Sequence, residues 1–131
     1  MTRSLFCLVV GALLVSGCGP EAPKQAPTAK VKGNVKLDGK PMESGEVTFS
    51  VPGEPVRTLA VSGGSYSGEA VVGQNKVEVA SYKEGPPLST DPTGKPTKTN
   101  IVAGKFNFQS TLSANVAASG ENNFDFDVTS Q

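Results

Sequence analysis

From residue 29 onward the chain alternates apolar and polar positions in steps of two. Residues 29–37 set Val31, Gly33, Val35 and Leu37 on one side and Lys30, Lys32, Asn34 and Lys36 on the other. That is the pattern of a strand with one face buried. Asp38-Gly39 follows, a dipeptide suited to the positive backbone angles of a tight hairpin turn. Residues 46–51 repeat the alternation, with Val47, Phe49 and Val51 inward, and Pro52-Gly53 ends it. Further runs at 56–61, 65–72, 76–82, 110–116 and 123–128 each lie between turn residues. In the last of them Phe124, Phe126 and Val128 share one face and Asp125 and Asp127 the other. Short alternating strands separated by turn signals, with no helical stripe anywhere, predict an all-β fold: a seven-stranded antiparallel Greek-key β-sandwich. Residues 84–106 carry little hydrophobicity and several Pro, Thr and Lys, so they read as a long excursion of the kind that is functional or mobile.

The first residues follow a different rule. Arg3 gives a short basic head, residues 5–15 are almost wholly apolar, and Ser16-Gly17-Cys18 closes the segment. The apolar run is too short to cross a bilayer comfortably as a helix, which needs about 20 residues. A basic head, an apolar stretch and small residues before a break are the parts of a secretory signal. Val15-Ser16-Gly17-Cys18 also resembles the lipobox of bacterial lipoproteins, which implies cleavage before Cys18 and acylation of its thiol by diacylglyceryl and palmitate-type chains. One acyl chain holds a membrane reversibly; two or three on one residue make release negligible. Gly19 follows the cysteine where Asp would resemble an inner-membrane retention signal, which favours the outer membrane. The expected organisation is a signal peptide at 1–17, a lipidated Cys18 with a Pro-rich linker at 18–28, and one domain at 29–131. Pro20, Pro23 and Pro27 favour extended geometry in the linker, either as a spacer or as a tail of no selected length.

Composition narrows the chemistry. The chain has 131 residues, 12 basic and 12 acidic, with no His and no Trp. The balanced charge speaks against a nucleic-acid partner. Without His the commonest metal ligand and general base are missing. Cys7 leaves with the signal and Cys18 is consumed by lipid, so neither a disulfide nor a thiolate metal site is expected. No catalytic residue, metal or cofactor is assigned, and the chain is expected not to be an enzyme.

Residues 31–42, with their Asp38-Gly39-Lys40-Pro41 turn, and Gly45-Glu46-Val47-Thr48-Phe49 after them resemble the opening of the transthyretin-like, or carboxypeptidase regulatory-like, β-sandwich. Residues 73–79 resemble a later strand of that family. The tail around Ser110-Thr111-Leu112 and 120–127 is similar to small planctomycete lipoproteins of unknown function. The resemblance implies a packing, adhesion or carrier module. One transthyretin relative is a hydroxyisourate hydrolase that uses His and Arg and ends in Tyr-Arg-Gly-Ser; a chain without His that ends in Val128-Thr129-Ser130-Gln131 does not carry that site.

Three residue sets are candidates for binding. Asp125 and Asp127, with Glu121, Asn122 and Asn123 nearby, offer oxygen ligands for Ca²⁺, or are the wet face opposite the two Phe. Lys30, Lys32 and Lys36 either grip anionic lipid or polysaccharide or guard a solvated edge strand against aggregation. Tyr66, Tyr82 and Phe106 either stack on sugar or fill the core. The function expected is a membrane-anchored envelope lipoprotein that binds or spaces other components without catalysis. Its partners would be membrane lipid through Cys18 and envelope proteins or polysaccharide, with 84–106 as the main surface. The alternative is a small-molecule or oligosaccharide carrier with a pocket in the sandwich or at a dimer interface.

Overall fold

A computed structural model describes Gly19 and residues 24–131; the expected signal peptide at 1–17 and the expected lipidation at Cys18 lie outside the described residues. Apart from one turn of 3-10 helix at Gly104–Phe106, the described elements are strands. They are β1 (Thr28–Leu37), β2 (Lys40–Pro41), β3 (Ser44–Ser50), β4 (Arg57–Ser62), β5 (Ser65–Val71), β6 (Gly73–Ala80), β7 (Tyr82–Pro87), β8 (Pro96–Asn100), β9 (Ser113–Val116), β10 (Asn122–Asn123) and β11 (Phe126–Val128). The fold is all-β. Each of the seven expected segments overlaps a strand, but the strands are more numerous because β2, β7 and β8 were not foreseen and the last segment is broken into β10 and β11.

The main sheet runs β10-β1-β5-β4-β3-β6-β9, with β2 and β11 also on β1. It curls at β4–β5, where Ser62 opposite Ser65 is the one ladder pair and Gly63-Gly64 turns the chain at φ 59° and 82°. Such angles fit a two-residue hairpin turn, and Gly adopts them without strain. The β10-β1-β5 limb and the β4-β3-β6-β9 limb thus face each other across one core. Val31, Val35, Tyr66 and Phe126 from the first limb meet Val47, Phe49, Val77 and Val79 from the second. The rings of Phe49 and Tyr66 lie 6.0 Å apart and those of Tyr66 and Phe126 6.3 Å. Each such side chain contributes about 1.5–3 kcal/mol by leaving water.

The closing edge departs from the antiparallel expectation. After β9 the chain crosses from one limb to the other, so β10 and β11 run parallel to β1, with Val31 opposite Asn122 and Val35 opposite Phe126. Asn122 staples that crossing: its carboxamide donates to Lys30 O and Ala117 O and accepts from Ala117 N. Between β10 and β11 the backbone rises over Gly33, where a Cβ would sit 1.8 Å from Phe124 O. Tyr66 Oη donates to that same oxygen at 2.7 Å. The Lys-bearing strand is consequently no edge strand: β5 lies on one side of β1 and β10 and β11 on the other.

Strand β9 begins three residues later than expected because Ser110 and Asn107 finish the edge of β6 with side chains. Ser110 Oγ donates to Val77 O and Asn107 Nδ2 to Val79 O. Among the described residues the core runs from Val31 to Val128, with Ala29 packed against it.

Candidate functional site: the end opposite the chain entry

The two ends of β1 define the two ends of the domain. Thr28 stands opposite Val71 at the entry, and Leu37 closes the strand at the far end. At about 3.3 Å per residue, the 10 residues of β1 separate these ends by about 30 Å.

At the far end β6 passes through Ser81 into β7. Ser81 Oγ donates to Ser44 O at 2.7 Å, and Ile101 N donates to Ser81 O at 2.9 Å. The Asn100 carboxamide oxygen accepts from both Ser81 N and Val102 N, tying the outgoing and returning chains together. From this root β7 and β8 form a separate two-stranded ribbon, with Tyr82 opposite Asn100 and Glu84 opposite Lys98. Residues 84–106 are therefore no featureless loop. They hold most of an arm whose strands pack chiefly on each other and whose residues are exposed or half-buried on both faces.

Local chemistry stiffens this arm. Pro86, Pro87 and Pro96 lack a backbone N–H and so deny a third strand the ladder it would need. The Thr97 hydroxyl donates to Pro86 O at 3.1 Å. At the tip the Asp91 carboxylate accepts from Thr93 Oγ1 at 2.6 Å and Thr93 N at 2.8 Å, and these two bonds hold its carboxyl below the usual carboxylate range. Asp91 N donates to Leu88 O and Gly94 N to Asp91 O, so two turns follow each other. Leu88 is left 62% exposed beside them.

Beside the arm's root the ends of the two limbs leave a cleft of about 350 Å³. Leu37, Met42 and Ile101 supply apolar lining, and Lys40, Glu43 and Lys83 supply charge. Lys40 is held in place by its turn: Asp38 takes φ 52°, its carboxylate accepts from Ser130 N at 2.9 Å, and its own N–H donates to Val128 O. The bond from Ser130 lowers the Asp38 carboxyl. No contact signal in the sequence joins Leu37, Met42 and Ile101, which meet only through the crossing of the limbs.

The sequence candidates divide. Asp125 accepts from Asn34 N at 2.7 Å and Asn34 Nδ2 at 3.1 Å, taking the place of a backbone acceptor where the β10–β11 ladder is interrupted. Asn122 is buried by its staple, while Glu121 pairs with Lys32 at 3.3 Å. Asp125 and Asp127 do share a recess of about 340 Å³ with Asn34 and Lys36. Among the described residues no three acidic, Cys or His side chains come together as a cation site. Lys30, Lys32 and Lys36 all lie exposed on the outer face of β1. Tyr66 belongs to the core, and burial first and the Asp125 charge second push its phenol far up. Phe106 packs on the core beneath Lys105, whose ammonium lies 4.9 Å from the ring centre. Tyr82 is 47% exposed, and partial burial together with the Glu46 carboxylate beside it raises its phenol. Among the described residues no helix is long and apolar enough to cross a membrane.

No family model and no curated protein matches the chain. A DUF3823 family protein from Parabacteroides merdae, known from a crystal structure, is similar at 15% identity and a TM-score of 0.39 over 81% of this chain. The match takes in 48% of that protein, so the chain spans about half its length.

Proposed function

We propose that the chain is a lipid-anchored module of the bacterial envelope that holds its arm and cleft away from a membrane for a partner to bind, without catalysis. The observation that carries this reading is the placement of the arm and cleft at the end of β1 opposite the chain's entry at Thr28. Acylation at Cys18 would put the entry nearest the lipid, and the outer membrane is the favoured surface. The domain itself we read as a transthyretin-like Greek-key sandwich in which the C-terminal strands have been laid parallel to β1. The Asp38-Gly39-Lys40-Pro41 turn supports that reading, since it is the part of the resemblance that also builds one wall of the cleft. A carrier function is the second reading, supported by the apolar lining that Leu37 and Ile101 give the cleft.

Two measurements test the proposal. Cys18→Ser should move the protein from membrane to soluble fractions, and intact mass of the wild type should show Cys18 as the first residue, bearing acyl chains. An unmodified Cys18 would overturn the anchor. Purification from native membranes should recover a companion that is lost when residues 83–99 are replaced by a short Gly-Ser link. An identical set of companions with and without the arm would overturn its role.

A further inference from the structure

We infer that the cleft at the root of the arm binds a short aliphatic carboxylate, with the alkyl portion on Leu37, Met42 and Ile101 and the carboxylate between Lys40 and Lys83. The inference rests on the reading that the far end is the binding face, and it assigns that face a ligand chemistry. The cleft's volume of about 350 Å³ is at the lower end of the range of small-ligand sites.

Its apolar wall is set to receive the alkyl portion. Met42, 1% exposed, backs the cleft from the core. Leu37 and Ile101 stand half-buried on either side.

The rim chooses the sign of the ligand. The ion pairs among the described residues are Lys32–Glu121 and Lys76–Glu78, so neither Lys40 nor Lys83 is paired with an acid among the described residues. Glu43 is the one acid on the cleft, and two Lys against one Glu leave one net positive charge there. The two ammonium groups also come from separately pinned elements. Lys40 follows the turn held by Ser130 and Val128, and Lys83 leaves the root held by Asn100. Their backbones are therefore fixed, while their exposed stems remain free to swing onto a carboxylate. A cationic ligand would meet two like charges for one opposite. A neutral sugar would gain nothing from that net charge, although Tyr82, 47% exposed, also lines the cleft beside Glu46.

An aliphatic carboxylate has two sources, a free short-chain acid or the carboxyl end of a peptide finishing in an aliphatic residue. The full chain, kept free of lipid by Cys18→Ser, is titrated with hexanoate, N-acetyl-leucine and hexylamine while the methyl signals of Leu37, Met42 and Ile101 are followed by NMR. Saturable shifts with hexanoate alone identify the free acid; shifts with N-acetyl-leucine, with or without hexanoate, admit the peptide end. Lys40→Glu with Lys83→Glu should weaken the carboxylate about tenfold or more, whereas Glu43→Gln should tighten it. Equal binding of hexylamine, or unmoved methyl signals at 50 millimolar of either acid, overturns the inference. Such a failure would leave the companion lost with the arm as a separate result, so the two readings stand or fall apart.

Discussion

The sandwich and the arm are built from strands of similar length under opposite rules. In β1, β3 and β6 every second side chain is buried, and the register is held by what the core will accept. In β7 and β8 neither face is covered, and no core chooses the register. An isolated two-stranded ribbon is marginal in water. The arm compensates locally, with Pro to limit its freedom, an Asp91–Thr93 turn at its tip and Asn100 at its root. Stability therefore resides almost entirely in the sandwich. The arm is free to vary in side chains without endangering the fold, which is the property a recognition element needs.

That contrast can be broken by substitution. Phe126 is 7% exposed and stacked on Tyr66, so Phe126→Ala should cost about 3–5 kcal/mol through the cavity it leaves, read as a lower urea midpoint. Gly33→Ala should cost about 1–3 kcal/mol or more, because its methyl would collide with the Phe124 carbonyl and not with a movable side chain. Tyr66→Phe removes the donor to that carbonyl and should cost about 1–2 kcal/mol near neutral pH.

The same tyrosine gives a pH signature. Its phenol titrates higher in the folded chain than its ordinary value of 10.0, so the folded state keeps a proton that the unfolded state releases. Stability should be full below pH 10 and fall as pH rises beyond it, and Tyr66→Phe should flatten that fall in alkaline melts. A smaller slope should persist from Tyr82.

Two neighbouring acids sharpen the comparison further. Asp125→Ala breaks the bonds to Asn34 and should cost about 1 kcal/mol, while Asp127→Ala, with no such bond, should stay within about 0.5 kcal/mol in the same urea melts. Equal losses would mean that Asp127 holds something in its recess. Replacing residues 83–99 by a Gly-Ser link should, like Asp127→Ala, leave the stability within about 0.5 kcal/mol of wild type. A large loss would show that the arm supports the core after all.

The inward faces were legible in the sequence because burial imposes a period of two that nothing else mimics over six residues. Val31 and Val35, Val47 and Phe49, Val77 and Val79, and Phe126 and Val128 all lie inside as that period required. Residues 82–87 and 96–100 were unreadable as strands for the same reason, since a ribbon without a buried face has no alternation to show. The parallel return of β10 and β11 was also hidden: nothing in 122–128 encodes direction, which depends on where the chain crosses between limbs. The acids were half legible. Their outward face was evident, but that Asp125 would stand in for a missing backbone acceptor depended on the rise of Phe124 over Gly33. The cleft was illegible because its walls come from positions as distant as Leu37 and Ile101.

The parallel clamp on β1 also has a mechanical side. Tension applied ahead of Thr28 and resisted at the arm would run along β1, across the hydrogen bonds that join it to β5, β10 and β11. Those bonds would be loaded together, in shear, and not opened one after another like a zipper. The chain's end would have to slide past both neighbours at once before any core residue was exposed. A domain wired in this way would hold its shape under a pull along that axis, and would yield last at β1.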